Sequence, residues 1–228
     1  MAIILNIETA TKNCSVSIAN NGAVLVLKEL NDLNYSHAEK LHPFINAALK
    51  EANLTINEID AVAVSKGPGS YTGLRIGVSA AKGICFAIGK PLISIDTLTS
   101  LSNAISIDTG VVVPMLDARR MEVYAAVFSA DNKAIREIKA EIIDAHSFSD
   151  YLEKGNVYFL GDGAPKCQPI LTHKNAIFVA DKLPSAKEMA TLSFEKFQQN
   201  RFEDVAYFEP FYLKDFLVFP EKKKKPTF

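Results

Sequence analysis

The sequence predicts an α/β fold with two subdomains, each built around a mixed sheet, of which the C-terminal one is reduced. Three observations predict it: an opening series of three strands, helices that alternate with strands up to residue 95, and further short strands in the second half. The 228 residues are 48% hydrophobic and 22% charged, which is typical of a folded domain. We place the N-terminal subdomain at residues 1–103 and the smaller C-terminal subdomain at 104–228, with the boundary in the stretch 102–109.

The chain opens with an antiparallel β-meander. Residues 2–7 are apolar and β-prone, which predicts a buried strand, and residues 15–19 alternate as a second strand should. Asn20-Asn21-Gly22 is a strong hairpin turn because Asn and Gly tolerate the positive φ that a tight turn requires. The chain then returns as a third strand over 23–30.

A first helix follows. Ser36 and Glu39 have the spacing of a capping box, which predicts that the helix begins there. Pro43 lies inside the pattern and is expected to kink the helix or to delay its start. The apolar residues behind the cap fall on one helical stripe, which consists of Leu41, Phe44, Ile45, Ala48, Leu49 and Ala52. This stripe predicts a core-facing helix, with a partner-facing one as the alternative.

A glycine-rich loop, residues 67–73, joins a strand at 59–65 to a second helix at 74–88. Its amide groups and the helix dipole are suited to an anion, and the weak phosphate-binding candidates are Gly67, Gly69, Ser70, Thr72 and Gly73. The loop lacks the Gly-Lys-Ser/Thr ending of a Walker A motif. Glycines required only for a tight connection explain the pattern equally well.

The second helix is apolar nearly all round, which predicts burial on more than one side. Small residues recur every four positions, at Gly73, Gly77, Ala81, Cys85 and Gly89, and such a groove lets another helix approach closely. Either the helix is buried within its own domain or a partner chain covers one side. The candidate partner contacts on the two helices are Leu41, Phe44, Ile45, Leu74, Gly77, Val78, Ala81, Lys82 and Cys85.

The remaining chain is less regular. We expect strands at 92–95, 111–116, 123–128, 135–142, 157–160 and 177–179, and a helix at 185–199.

Composition limits the functions that this chain can have. It has 25 Lys and Arg against 26 Asp and Glu, whereas a protein that grips RNA alone normally has a basic excess. The lysines at 222–225 form either a solvated tail or an auxiliary electrostatic contact. Three widely spaced cysteines, no signal peptide and no membrane-spanning apolar run predict a cytoplasmic protein with reduced thiols.

Neither a metal site nor a catalytic site stands out. None of the four histidines forms an i, i+4 pair, and no G-x-S-x-G motif is present. Glu8, in the first hairpin, is either a polar strand end or a residue that binds a metal through water. The turn at 161–164 is a second, weaker phosphate candidate.

Together these segments resemble the TsaB (YeaZ) family across nearly the whole chain. The resemblance lies in residues 4–16, 36–43, 67–77, 117–124, 161–164 and 210–214. It implies the actin-like ASKHA fold and kinship with TsaD, whose His-x-x-x-His pair binds a metal. Thr97 and Leu101 stand where those ligands would be, which implies a chain without the catalytic centre. Glu8 stands where the family usually has Asp.

The resemblance implies a non-catalytic subunit in tRNA N6-threonylcarbamoyladenosine (t6A) modification. Such a subunit dimerises with a TsaD-type catalytic subunit, is joined by a TsaE-type ATPase, reaches tRNA indirectly and forms a homodimer in isolation. It needs no cofactor of its own and would meet ATP or ADP only within the complex. Two alternatives are an ATP-dependent small-molecule kinase of the ASKHA fold and a peptidase-like protein.

Overall fold

The first sheet forms the N-terminal half of the chain. A computed structural model describes residues 1–31 and 36–214, so the lysines at 222–225 lie outside the described residues. The strands of this sheet are β1 (Ile3–Glu8), β2 (Asn13–Asn20), β3 (Ala23–Asn31), β4 (Ala61–Gly67) and β5 (Leu92–Asp96). Their order is β3-β2-β1-β4-β5, with β1 to β3 antiparallel and β4 and β5 parallel to β1. The predicted meander is confirmed.

Two helices, α1 (His37–Glu51) and α2 (Tyr71–Ile88), cover one face of this sheet. Helix α2 ends at Gly89, which has the left-handed φ of 65° typical of a C-cap. Helix α1 begins directly after Ser36 and runs through Pro43. The predicted capping bond is wrong: Ser36 has ψ of 23° rather than an extended value, and its side chain accepts no bond from the helix.

The second sheet is also mixed. Its strands are β6 (Val111–Asp117), β7 (Glu122–Ser129), β8 (Ala134–Ile142), β9 (Val157–Leu160) and β10 (Ala176–Val179). The order is β10-β9-β6-β7-β8, parallel on the β9 side of β6 and antiparallel on the β7 side. Short helices that the sequence did not reveal accompany these strands: α3 (Thr97–Ser102), α4 (Ser149–Leu152) and α5 (Ala164–Cys167).

The last helix, α6 (Ala186–Gln198), packs on the first sheet, opposite α1 and α2. Successive residues of a strand face opposite sides, and Ile4 of β1 joins the cluster that contains Met189, whereas Leu5 joins that of α1 and α2. The first sheet is therefore covered on both faces, one of them by a segment from the predicted C-terminal subdomain. Across the described ranges, no helix is both long and apolar enough to cross a membrane.

Candidate functional site

The glycine-rich loop and the start of α2 lie directly against the turn between β1 and β2. A Cβ atom on Gly69 would lie 2.5 Å from the carbonyl oxygen of Ala10, and one on Gly73 would lie 2.1 Å from that of Thr9. One turn later, a Cβ on Gly77 would lie 2.2 Å from Thr9 Oγ1. Since real Cβ atoms do not approach other atoms so closely, these glycines allow α2 to touch the turn.

Amide groups of the loop donate hydrogen bonds within the chain. Ser70 N donates to the carbonyl oxygen of Ala10 at 2.7 Å, and Gly73 N donates to Ser70 Oγ at 3.3 Å. Gly67 is buried with φ of 112°, and Thr72 is exposed on the outer surface of α2. The steric explanation accounts for the glycines, and the phosphate-binding role of this loop stays a prediction.

Glu8 stabilises the same turn from inside. Its Oε1 accepts hydrogen bonds from Ala10 N at 2.6 Å and from Ser65 Oγ at 2.8 Å, while its Oε2 is buried with no hydrogen-bond partner. Burial raises the pKa of Glu8 to about 7, and the nearby carboxylate of Glu188 adds to the rise. This carboxyl group therefore gains a proton far more readily than an exposed one.

The two positions that stand where a TsaD-like pair would be lie at α3. Leu101 is fully buried in the cluster beneath the second sheet, and Thr97 is buried at the start of the helix. Within residues 1–31 and 36–214, no group of three or more His, Cys, Asp and Glu side chains is arranged to hold a metal ion.

Most of the predicted partner contacts face inward, so the structure places them in the core of this chain, and their contact with a partner stays a prediction. Seven of the nine are buried within the chain, namely Leu41, Ile45, Leu74, Gly77, Val78, Ala81 and Cys85. Phe44 is partly buried against the same core, and Lys82 donates to the carbonyl oxygens of Ala206 and Phe208. The physical reason is that the first sheet and the β1–β2 turn already occupy the stripe and the small-residue groove.

A different side of α2 is open. We define the outer α2 face as Thr72, Arg75, Ser79, Gly83 and Phe86, which are all exposed. The Phe86 side chain is 86% exposed, and a Cβ on Gly83 would meet nothing within 4 Å. These residues recur at helical spacings of three and four, with one large apolar residue among small and polar ones. That pattern was visible in the sequence, but the stronger apolar stripe obscured it.

The C-terminal part of the described chain borders this face. Lys82, one turn before Phe86, binds two carbonyl oxygens of the segment that contains Tyr207, which is 84% exposed. At the opposite, N-terminal end of α2, the rings of Tyr71 and Tyr212 lie 5.0 Å apart, and Arg75 donates to the Tyr71 hydroxyl at 2.8 Å. The outer α2 face thus exposes the Phe86 ring beside a C-terminal segment that hydrogen bonds hold against the helix.

Known proteins resemble this chain in sequence and in fold. The family model that matches residues 32–224 is described as TsaD: tRNA N6-adenosine threonylcarbamoyltransferase. The tRNA threonylcarbamoyladenosine biosynthesis protein TsaB of Escherichia coli (strain K12) is 30% identical over 224 residues, which cover 93% of this chain and 94% of that protein.

Solved structures share the architecture. YeaZ from Pseudomonas aeruginosa matches with a TM-score of 0.77 at 23% identity, over 93% of this chain and 100% of that chain. The ethanolamine utilization protein EutJ from Carboxydothermus hydrogenoformans matches with a TM-score of 0.50 at 13% identity, over 83% of this chain and 89% of that one. The two mixed sheets and these likenesses show the actin-like ASKHA fold.

Proposed function

Because this chain belongs to the TsaB (YeaZ) family of tRNA threonylcarbamoyladenosine biosynthesis proteins, we propose that it is the non-catalytic subunit of a t6A-forming complex. In this proposal it dimerises with a TsaD-type catalytic subunit, and a TsaE-type ATPase joins the pair in the cytoplasm. The complex transfers threonylcarbamoyl from its adenylate to the adenosine 3′ of the anticodon, and AMP is released. This chain supplies a docking surface rather than a reactive group.

The outer α2 face carries this proposal. Phe86 exposes most of its ring to water, and burying such a side chain against a partner contributes about 1.5–3 kcal/mol. Ser79 and Gly83 on the same face have small side chains or none, so a partner helix can approach α2 closely. Because a helix is already rigid, little conformational entropy is lost on docking.

The same surface supports self-association when the partner is absent. An exposed apolar patch on a single chain marks a place where other protein surfaces bind. Phe86 is exposed, and Lys82, one turn before it, binds the segment that contains the exposed Tyr207, so a second copy docked on the outer α2 face can also reach that segment. We therefore expect the isolated chain to form a homodimer that the TsaD-type subunit displaces.

The residues at α3 support the assignment of the chemistry to the partner. Leu101 has no ligand atom, and its side chain is packed among apolar residues of the second sheet. A metal cannot bind there unless the core opens. The histidine pair of a TsaD-type subunit would instead hold the metal used in transfer.

Reconstitution tests the proposal. Purified TsaD-type and TsaE-type proteins from the same organism are incubated with threonylcarbamoyl-adenylate, ATP and an unmodified tRNA transcript, with and without this chain. We expect the modified nucleoside to form only when all three proteins are present, and not with this chain alone. Equal yield without this chain would contradict the proposed role.

A further inference from the structure

The turn between β6 and β7 has an unusual backbone for its residues. Arg119 and Arg120 have φ values of 72° and 52°, so two consecutive non-glycine residues lie in the left-handed region. The i→i+3 hydrogen bond of this turn runs from Glu122 N to the carbonyl oxygen of Arg119. Asn and Gly tolerate a left-handed φ best, whereas other residues lose about 1–2 kcal/mol each there. Both arginine side chains are exposed at the tip of the hairpin. The fold thus holds two arginines outward in a conformation that they do not prefer.

The carboxylates at the base of this hairpin already have partners. Lys166 pairs with Asp117, and Lys214 pairs with Glu122. Asp117 also accepts a hydrogen bond from Arg119 N at 2.8 Å, which fixes the backbone of the turn rather than the guanidinium. Among the described residues, neither arginine side chain has an ion-pair partner.

More cations act on the carboxyl groups at the base of the hairpin. Asp162 accepts a hydrogen bond from Asp117 N at 3.0 Å, and burial raises the pKa of Asp162 while the positive charges of Lys12 and Lys166 act against that rise. Burial likewise raises the pKa of Tyr124, against the charges of Lys214 and Arg119.

The cationic hairpin is the group formed by Lys12, Arg119, Arg120, Lys166 and Lys214. Lys166 and Lys214 are paired with Asp117 and Glu122, so in the described part of the chain the positive charge left unpaired at the hairpin tip is that of Arg119 and Arg120, both exposed.

We infer that the cationic hairpin binds phosphate groups of the tRNA backbone, so that this chain contacts tRNA directly. A guanidinium offers a planar fork of donors that matches a phosphate, and two adjacent forks match an extended phosphodiester chain. The arginines project from an exposed hairpin tip, which is suited to a long polyanion passing over the surface. This inference rests on the proposed function, and it adds a direct RNA contact to a role in which tRNA was expected to be reached indirectly.

The test removes the two charges without damaging the turn. In the double variant Arg119→Asn, Arg120→Gly, the new residues are those that best tolerate the positive φ of these two positions. The conservative variant Arg119→Lys, Arg120→Lys keeps both charges. The matched control Lys154→Gln, Lys174→Gln removes two exposed cations elsewhere on the second subdomain. Binding of an unmodified tRNA transcript is measured at several salt concentrations, with the full chain alone and with its TsaD-type partner.

We expect the Asn-Gly variant to bind tRNA about 5- to 20-fold more weakly at low salt. The slope of log K against log salt should fall by about one to two, because each lost phosphate contact removes close to one unit. The lysine variant should retain most of the affinity, and the matched control should bind as the wild type does. Unchanged affinity and slope in the Asn-Gly variant would overturn the inference. It would also be overturned if the wild type bound no tRNA, either alone or with its TsaD-type partner.

Two further readouts separate the sources of phosphate and the two proposals. If the Asn-Gly variant loses ATP binding while tRNA binding is unchanged, the hairpin is a nucleotide site and the RNA inference is wrong. Size-exclusion chromatography reports heterodimer formation separately. A heterodimer that forms but binds tRNA identically in wild type and variant overturns only the hairpin inference. If the wild-type chain forms no heterodimer with the TsaD-type protein, but its tRNA affinity falls in the Asn-Gly variant, only the proposed function is contradicted.

Discussion

The hydroxyl group of Thr9 donates a hydrogen bond to the carbonyl oxygen of Gly73 at 2.8 Å, which ties the β1–β2 turn to the first turn of α2. The same hydroxyl would lie 2.2 Å from a Cβ atom on Gly77. Thr9 therefore explains why α2 has glycine at two positions four residues apart, through its carbonyl oxygen at Gly73 and its side chain at Gly77. It also distinguishes the inner glycines of this helix from Gly83 on the outer α2 face.

The first prediction compares Gly77→Ala with Gly83→Ala. Alanine is favoured over glycine in a helix interior by about 1 kcal/mol, and at Gly83 the new methyl group meets nothing within 4 Å. We therefore expect Gly83→Ala to stabilise the chain by that amount. At Gly77 the methyl group overlaps Thr9, and such overpacking costs about 1–3 kcal/mol. The free energies of unfolding of the two variants, measured in urea, should differ by the cost of overpacking. Equal stabilisation of both would contradict the packing described.

The second prediction concerns the pH dependence of stability. Since burial raises the pKa of Glu8 from 4.5 to about 7, the folded chain holds a proton that the unfolded chain releases between those values. Stability that Glu8 contributes in its protonated form is thus fully present below pH 4.5 and is lost as pH rises to about 7. The loss is at most about 3 kcal/mol.

Glu8→Gln removes this titration, so the variant serves as the reference. We expect the free energy of unfolding of the wild type to fall relative to that of Glu8→Gln as pH rises from about 4.5 to about 7, and then to level off. Chemical denaturation at a series of pH values measures the difference. Parallel pH profiles for the two proteins would show that Glu8 titrates as an ordinary exposed carboxyl group.

The third prediction follows from the inward side of α2. Val78 and Ala81 are buried against the first sheet, so Val78→Asp or Ala81→Asp places a charge without a partner in the core. We expect either change to destabilise the fold by about 4 kcal/mol or more, and not to act selectively on a partner interface. Thermal melts followed by circular dichroism test this. A folded Val78→Asp protein with an unchanged Tm would mean that this side of α2 is open to a partner.

Short-range patterns in the sequence predicted the first sheet and its two long helices well. Alternation and the Asn21-Gly22 turn indicated β1 to β3, and the stripe that contains Leu41 and Ile45 indicated the buried side of α1. These features depend on residues close in sequence, so periodicity is sufficient to find them.

What the sequence could not indicate was which surface each pattern contacts. The small residues of α2 correctly signal a close approach, but the approaching group is Thr9, 64 residues before Gly73, rather than a partner helix. Similarly, no local pattern shows that Ala186 of α6 returns to accept a bond from Ser17 of β2. The turn at Arg119 and Arg120 was missed because neither residue is a usual turn former.

The measurement that bears most directly on the docking role of the outer α2 face is the affinity of this chain for its TsaD-type partner after Phe86→Glu. Glutamate is a good helix former and Phe86 is exposed, so the fold should be unaffected. The matched control is Ile135→Glu, at a side chain of β8 that is 50% exposed on the other sheet. We predict that Phe86→Glu raises Kd by at least about tenfold, which corresponds to about 1.4 kcal/mol, whereas Ile135→Glu leaves Kd unchanged. Equal Kd values for the wild type and both variants would contradict the account.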